Sequence, residues 1–148
     1  MDQQAARLRP NLSAAAKLMS RKLPSTPDSQ YRWVPGEDPQ TESEIDKFFR
    51  SDAIERLKEL MCDIGRRLWH KDFVDGNGGN LTIRVGDNLV LCTPTGNSKG
   101  FLKPDMMCLV DMEGRQLAGT RLCTSEILTH LGVMERQPDA KACCHAHP

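Results

Sequence analysis

Apolar positions along this chain recur with two different periods, and the change of period divides it. In residues 1–23, Leu8, Leu12, Ala15, Ala16, Met19 and Leu23 recur at helical spacing, with Arg7, Arg9, Lys17, Arg21 and Lys22 between them. The pattern predicts an amphipathic N-terminal extension. Pro24-Ser25-Thr26-Pro27 stops it, and residues 24–41 read as a Pro/Ser-rich linker in which Tyr31, Trp33 and Val34 can dock on a domain. Thr41-Glu42-Ser43-Glu44 then signals a helix start, a hydroxyl followed by early acids, with Ile45, Phe48 and Phe49 facing inward. A longer helix is predicted over residues 51–70. Its apolar face is Ile54, Leu57, Leu60, Met61, Ile64 and Leu68, and Glu55 and Glu59 read as facing Arg66 and Arg67 on a solvated side.

The period then shortens to two. Asp75-Gly76-Asn77-Gly78-Gly79-Asn80 is a glycine-rich loop, and Leu81-Thr82-Ile83-Arg84-Val85 alternates like a strand. Gly86-Asp87-Asn88 turns the chain, and Leu89-Val90-Leu91-Cys92 returns as the partner strand. After a second turn at Thr93-Pro94-Thr95-Gly96, the run Met106-Met107-Cys108-Leu109-Val110-Asp111 predicts a buried strand, with Gln116-Leu117-Ala118 pairing back. Thr124-Ser125 opens a helix whose apolar face is Ile127, Leu128, Leu131 and Met134, and a last strand carries Cys143-Cys144-His145-Ala146-His147. Hairpins interleaved with helices predict an α/β domain, a mixed sheet covered by helices.

Charge and composition narrow the partners. Lys+Arg and Asp+Glu balance at 20 each, so no net field favours nucleic acid or an anionic membrane. No apolar run approaches the roughly 20 residues of a bilayer span, and no apolar core of a secretory signal is visible. The six cysteines form no Cys-x-x-Cys pair, which removes a zinc-ribbon or thioredoxin-like motif. They read as reduced thiols in a cytoplasmic compartment.

The residues that can carry chemistry lie in loops. Gly79-Asn80, Thr95-Gly96 and Thr124-Ser125 each offer small residues, backbone N–H groups and an amide or hydroxyl. Converging, they would make an anion cradle of neutral donors; taken alone, each is an ordinary turn. The loop is not a Walker motif, because Gly-Lys-Ser/Thr is missing, nor a dinucleotide fingerprint, because a strand follows where a helix is required. Glu126, placed in the first helical turn, reads either as a carboxylate favouring the helix N-terminus or as a general acid/base with a raised pKa. His130, four residues on, reads as a packing or supporting group. His145 and His147 project to one side of an extended strand and can supply two corners of a tetrahedral zinc site.

Gly78-Gly79-Asn80-Leu81-Thr82-Ile83-Arg84, Thr93-Pro94-Thr95-Gly96, Thr124-Ser125-Glu126 with His130, and His145-Ala146-His147-Pro148 follow one another over roughly residues 50–148. In this order and spacing they resemble the class II aldolase/adducin family, which includes fuculose-phosphate and rhamnulose-phosphate aldolases and ribulose-phosphate 4-epimerase. The resemblance implies a three-layer α/β/α sandwich with a mixed, largely antiparallel central sheet, incomplete at the C-terminus, residues 42–148 being the N-terminal part of the domain. It implies Zn2+ in each subunit of a homotetramer, with His145 and His147 as two of the metal ligands. Glu126 matches the catalytic acid/base, and Gly79, Asn80, Thr95, Gly96, Thr124 and Ser125 match the substrate phosphate-binding residues. The implied activity is cleavage of a ketose 1-phosphate to dihydroxyacetone phosphate and an aldehyde. An epimerase or dehydratase acting on a related sugar phosphate, or an adducin-like interaction module without catalysis, are the alternatives these motifs leave open.

The family's third zinc histidine, and a C-terminal region that helps build a neighbouring subunit's site, lie further along than Pro148. The chain is therefore expected to be a fragment of a longer enzyme, holding zinc weakly and inactive by itself. Residues 1–23 with the following linker resemble the encapsulation peptides that recruit enzymes into bacterial microcompartments, which implies a shell or core protein as a partner.

Overall fold

The computed structural model describes residues 31–148, so the amphipathic extension and the first part of the linker lie outside the described residues. The elements run α1 (Glu42–Phe49), α2 (Asp52–His70), β1 (Asn80–Arg84), β2 (Val90–Cys92), β3 (Cys108–Val110), β4 (Gln116–Ala118), α3 (Ile127–Arg136) and β5 (Ala142–His145). The strands form one sheet in the order β4-β3-β2-β1-β5. Each neighbouring pair is antiparallel, so among the described residues the sheet has no parallel member.

Strand alternation sets the layers. Leu81, Leu89, Leu91, Met107 and Leu109 turn to one face, where Ile54, Met61 and Cys62 of α2 cover them. Val90, Cys92, Cys108 and Val110 turn to the other, against Ile127, Leu131 and Met134 of α3. With a helix on each side, every residue of β2 and β3 is buried. Full burial of a Leu or Ile side chain contributes about 1.5–3 kcal/mol, so these two faces hold the domain together. This is the three-layer α/β/α arrangement.

Local chemistry accounts for the ends of α1. Thr41 Oγ1 accepts from the Glu44 backbone N–H at 3.3 Å, and the Glu44 carboxylate accepts from the Thr41 N–H at 3.0 Å, a closed capping box. Ile45, Phe48 and Phe49 pack on the core as expected. In α2 the expectation needs three corrections. Leu60 is 39% exposed, because the helix covers the sheet with a narrower stripe. The acids at Glu55 and Glu59 do not face Arg66 and Arg67, which lie too far along the helix; Glu55 pairs with Lys58, and Asp63 pairs with both arginines. Lys58 is buried, not solvated. Gly65 is buried in the same helix. A Cβ there would lie 2.6 Å from the Lys99 carbonyl oxygen, so the glycine lets the short 3-10 turn Lys99–Phe101 press onto the helix.

The second part of the linker is docked. The Tyr31 hydroxyl donates to the Val85 carbonyl at 2.7 Å, and Trp33 Nε1 donates to Asp87 at 2.8 Å. The Asp38 carboxylate accepts the backbone N–H groups of Asp87 and Asn88 at the β1–β2 turn. Val34 is exposed.

Candidate active site

Backbone pairing beyond the named strands brings the three loops together. Thr93 N–H donates to the Leu81 carbonyl at 3.0 Å, and the buried Thr93 hydroxyl accepts from Leu81 N–H at 3.1 Å, which fixes the Thr95-Gly96 turn beside the glycine-rich loop. Thr124 N–H donates to Thr93 O and Thr95 N–H to Leu122 O, each at 3.0 Å, and these bonds bring up the Thr124-Ser125 segment. The three loops line a cleft of about 220 Å³ that includes Gly79, Asn80, Thr95, Gly96, Thr124, Ser125, Glu126, His147 and Lys99. Gly79 has φ +70, and a Cβ there would lie 2.6 Å from Val74 Cγ1 and 2.7 Å from the His145 carbonyl. Both the conformation and the space require glycine.

The β1–β5 register sets Asn80 opposite His145. His145 and His147 lie on one side of the chain with ring centroids 4.7 Å apart, although β5 itself ends at His145. His147 is held instead by its backbone N–H, which donates to the Phe73 carbonyl at 2.7 Å.

Glu126 is the junction of the site. His145 Nδ1 lies 2.7 Å from Glu126 Oε2, and the Asn80 amide nitrogen bonds the same oxygen. A carboxylate can only accept, so Nδ1 carries a proton, and in the neutral imidazole the Nε2 lone pair is left for a metal. Two donors on one oxygen hold Glu126 below the usual carboxylate range; the Asn80 bond is the larger influence and the His145 bond the next. This corrects the expectation of a raised pKa for Glu126 as a general acid/base. A second correction concerns position. Glu126 is the N-cap of α3, which begins at Ile127, and Thr124 and Ser125 belong to the preceding loop. Its Oε1 makes no hydrogen bond among the described residues.

Asn80 is committed differently from the expectation. Its amide N–H serves Glu126, and its Oδ1 is buried without a partner. The reverse amide orientation would set Oδ1 against the carboxylate. His130 is buried with Nδ1 2.8 Å from the Thr82 hydroxyl, a packing position, and burial, then the neighbouring His145, lower its pKa.

Among the described residues no group of three or more His, Cys, Asp and Glu side chains is arranged to hold a metal ion. What is present is a pair, His145 and His147, with His145 oriented by a carboxylate as metal-binding imidazoles are. The pair fits as part of a metal site. Lys99 escaped the pattern, because a lysine between Ser98 and Gly100 reads as a charge on a solvated turn. The only sequence signal was indirect, a glycine inside α2 at Gly65 where helix propensity opposes it.

The model of the class II aldolase and adducin N-terminal domain matches residues 59–148. A 3-oxo-tetronate 4-phosphate decarboxylase of Haemophilus influenzae is 40% identical over 90 residues, 61% of this chain and 42% of its own. An L-fuculose phosphate aldolase of Methanococcus vannielii is 38% identical, covering 62% of this chain and 48% of its own. A methylthioribulose-1-phosphate dehydratase of Methylococcus capsulatus is 38% identical, covering 62% and 44%. The chain thus spans less than half the length of each of these relatives. Among solved structures, an L-fuculose 1-phosphate aldolase superposes with a TM-score of 0.56 at 31% identity, over 61% of this chain and 43% of that one. YgbL from Klebsiella pneumoniae superposes with a TM-score of 0.59 at 28% identity, over 74% and 46%. With its fold, its loop cluster and a domain match over most of its length, the chain belongs to the class II aldolase/adducin family.

Proposed function

We propose that this chain supplies the phosphate-holding and proton-moving part of a metal-dependent lyase that cleaves a ketose 1-phosphate to dihydroxyacetone phosphate and an aldehyde. The observation that carries the reading is the convergence of the three loops on one cleft beside Glu126 and the two histidines. Backbone N–H groups of Gly79, Gly96 and Ser125 and the hydroxyls of Thr95, Thr124 and Ser125 bind the phosphate, and that remote binding positions the reacting carbons. A divalent ion, Zn2+ in this proposal, held by His145 and His147 and completed by a ligand beyond these residues, supplies Lewis acidity toward the substrate oxygens. Glu126, ionised and steadied through Oε2, moves the proton with its free Oε1. In the full-length protein, Glu126→Gln is expected to lower kcat by about 10²–10⁴-fold, and chelation to abolish turnover. Full activity after both treatments contradicts the proposal.

Relatives named as an aldolase, a decarboxylase and a dehydratase match at nearly the same identity, which favours a second reading within the family. In it the same cleft holds a sugar phosphate that loses CO2 or water. Product analysis separates the cases: dihydroxyacetone phosphate released together with an aldehyde supports the aldolase, whereas release of CO2, or loss of water with the carbon chain intact, removes it.

A further inference from the structure

The loop donors of the cleft are neutral, whereas a phosphate monoester brings close to two negative charges. One cation lies in the lining. Lys99 is 1% exposed, and its Nζ donates to the Asn77 carbonyl at 2.9 Å and the Asn97 carbonyl at 2.5 Å. An ammonium carries three N–H groups, so one remains. Among the described residues no carboxylate pairs with Lys99, and burial alone lowers its pKa. The other buried lysine and the buried aspartate do have ionic partners: Lys58 lies 2.6 Å from Glu55, and Asp111 2.6 Å from Arg115. A buried charge without a counter-ion is costly. Here it is kept inside a cleft of anion donors, so the counter-ion is expected to arrive with the ligand.

The two carbonyls also say what the side chain holds. Asn77 precedes Gly78-Gly79 in one loop, and Asn97 follows Gly96 in the other, so Nζ ties the two loops at a fixed separation. We propose that Lys99 is the cationic donor of the phosphate subsite, its third N–H meeting the phosphoryl oxygens while the other two set the spacing of the loops. The proposal rests on the sugar-phosphate reading above and adds to it the charge that the neutral cradle lacks.

The test is calorimetric titration of inorganic phosphate into the full-length protein and its Lys99→Met and Lys99→Arg variants, with thermal melting measured alongside. Lys99→Met is expected to weaken phosphate binding at least about tenfold, the size of one charge-assisted hydrogen bond, and to flatten its salt dependence. Lys99→Arg should recover most of the affinity. If Lys99→Met fails to fold, Lys99→Gln, which keeps a donor and loses the charge, gives the same reading. Wild-type affinity in the charge-free variant overturns the role of Lys99 while leaving the cradle intact. No phosphate binding by the wild-type protein overturns the cradle itself, and the proposal with it.

Discussion

Two lysines are buried in the described domain, and they sit in opposite surroundings. At the junction of α1 and α2, Lys58 is 3% exposed, 2.6 Å from the Glu55 carboxylate, 2.7 Å from the Phe49 carbonyl and over the Phe49 ring. At the cleft, Lys99 is just as buried and has two carbonyls but no anion. The first set of contacts satisfies the ammonium within the fold, and the second leaves it one charge short. A cation with its partners joins helices; one without an anionic partner marks where a ligand is to bind.

Lys58→Met is expected to cost about 2 kcal/mol of stability, because it removes the hydrogen bonds that a charged group donates to Glu55 and Phe49, and to leave phosphate affinity unchanged. Chemical denaturation beside a phosphate titration checks both halves, and a loss of phosphate binding would erase the distinction between the two sites. Gly65→Ala attacks the other lysine from behind. Its Cβ would meet the Lys99 carbonyl at 2.6 Å, so overpacking by about 1–3 kcal/mol should outweigh the gain of about 1 kcal/mol in helix propensity, and phosphate affinity should fall as the turn shifts. Gly132→Ala in α3 is the control. Its Cβ would touch only the Arg136 guanidinium at 3.6 Å, so melting should rise slightly, by up to about 1 kcal/mol of stability.

The smallest effect is on the alkaline side. Burial lowers the Lys99 pKa below 10.5, so between the two values the unfolded chain binds more protons than the folded one. Wild-type stability should therefore rise across that window relative to Lys99→Met, by no more than about 1.4 kcal/mol for each pH unit. Parallel pH–stability curves for the two proteins would show that the ammonium is not destabilised by burial.

Much of the fold was legible because it depends on short-range patterns. The alternation at Leu89-Val90-Leu91-Cys92 assigns residues to the two faces, and the hydroxyl of Thr41 followed by early acids marks the start of α1. The loop residues of the cleft were legible as a set because glycine, threonine and asparagine mark turns. What escaped depends on contacts between distant segments. Lys99 is buried because Gly65 admits its turn to α2, and Asn80 serves Glu126 because the β1–β5 register sets it there. The lowered pKa of Glu126 follows from that same neighbour, which single residues in a list do not reveal.

Whether the three loops form one phosphate site is read from the amide chemical shifts of the full-length protein during a titration with inorganic phosphate. The largest perturbations are expected at the N–H groups of Gly79, Gly96 and Ser125, saturating together with a single dissociation constant. Shifts absent from these loops, or appearing in them at different phosphate concentrations, would contradict it.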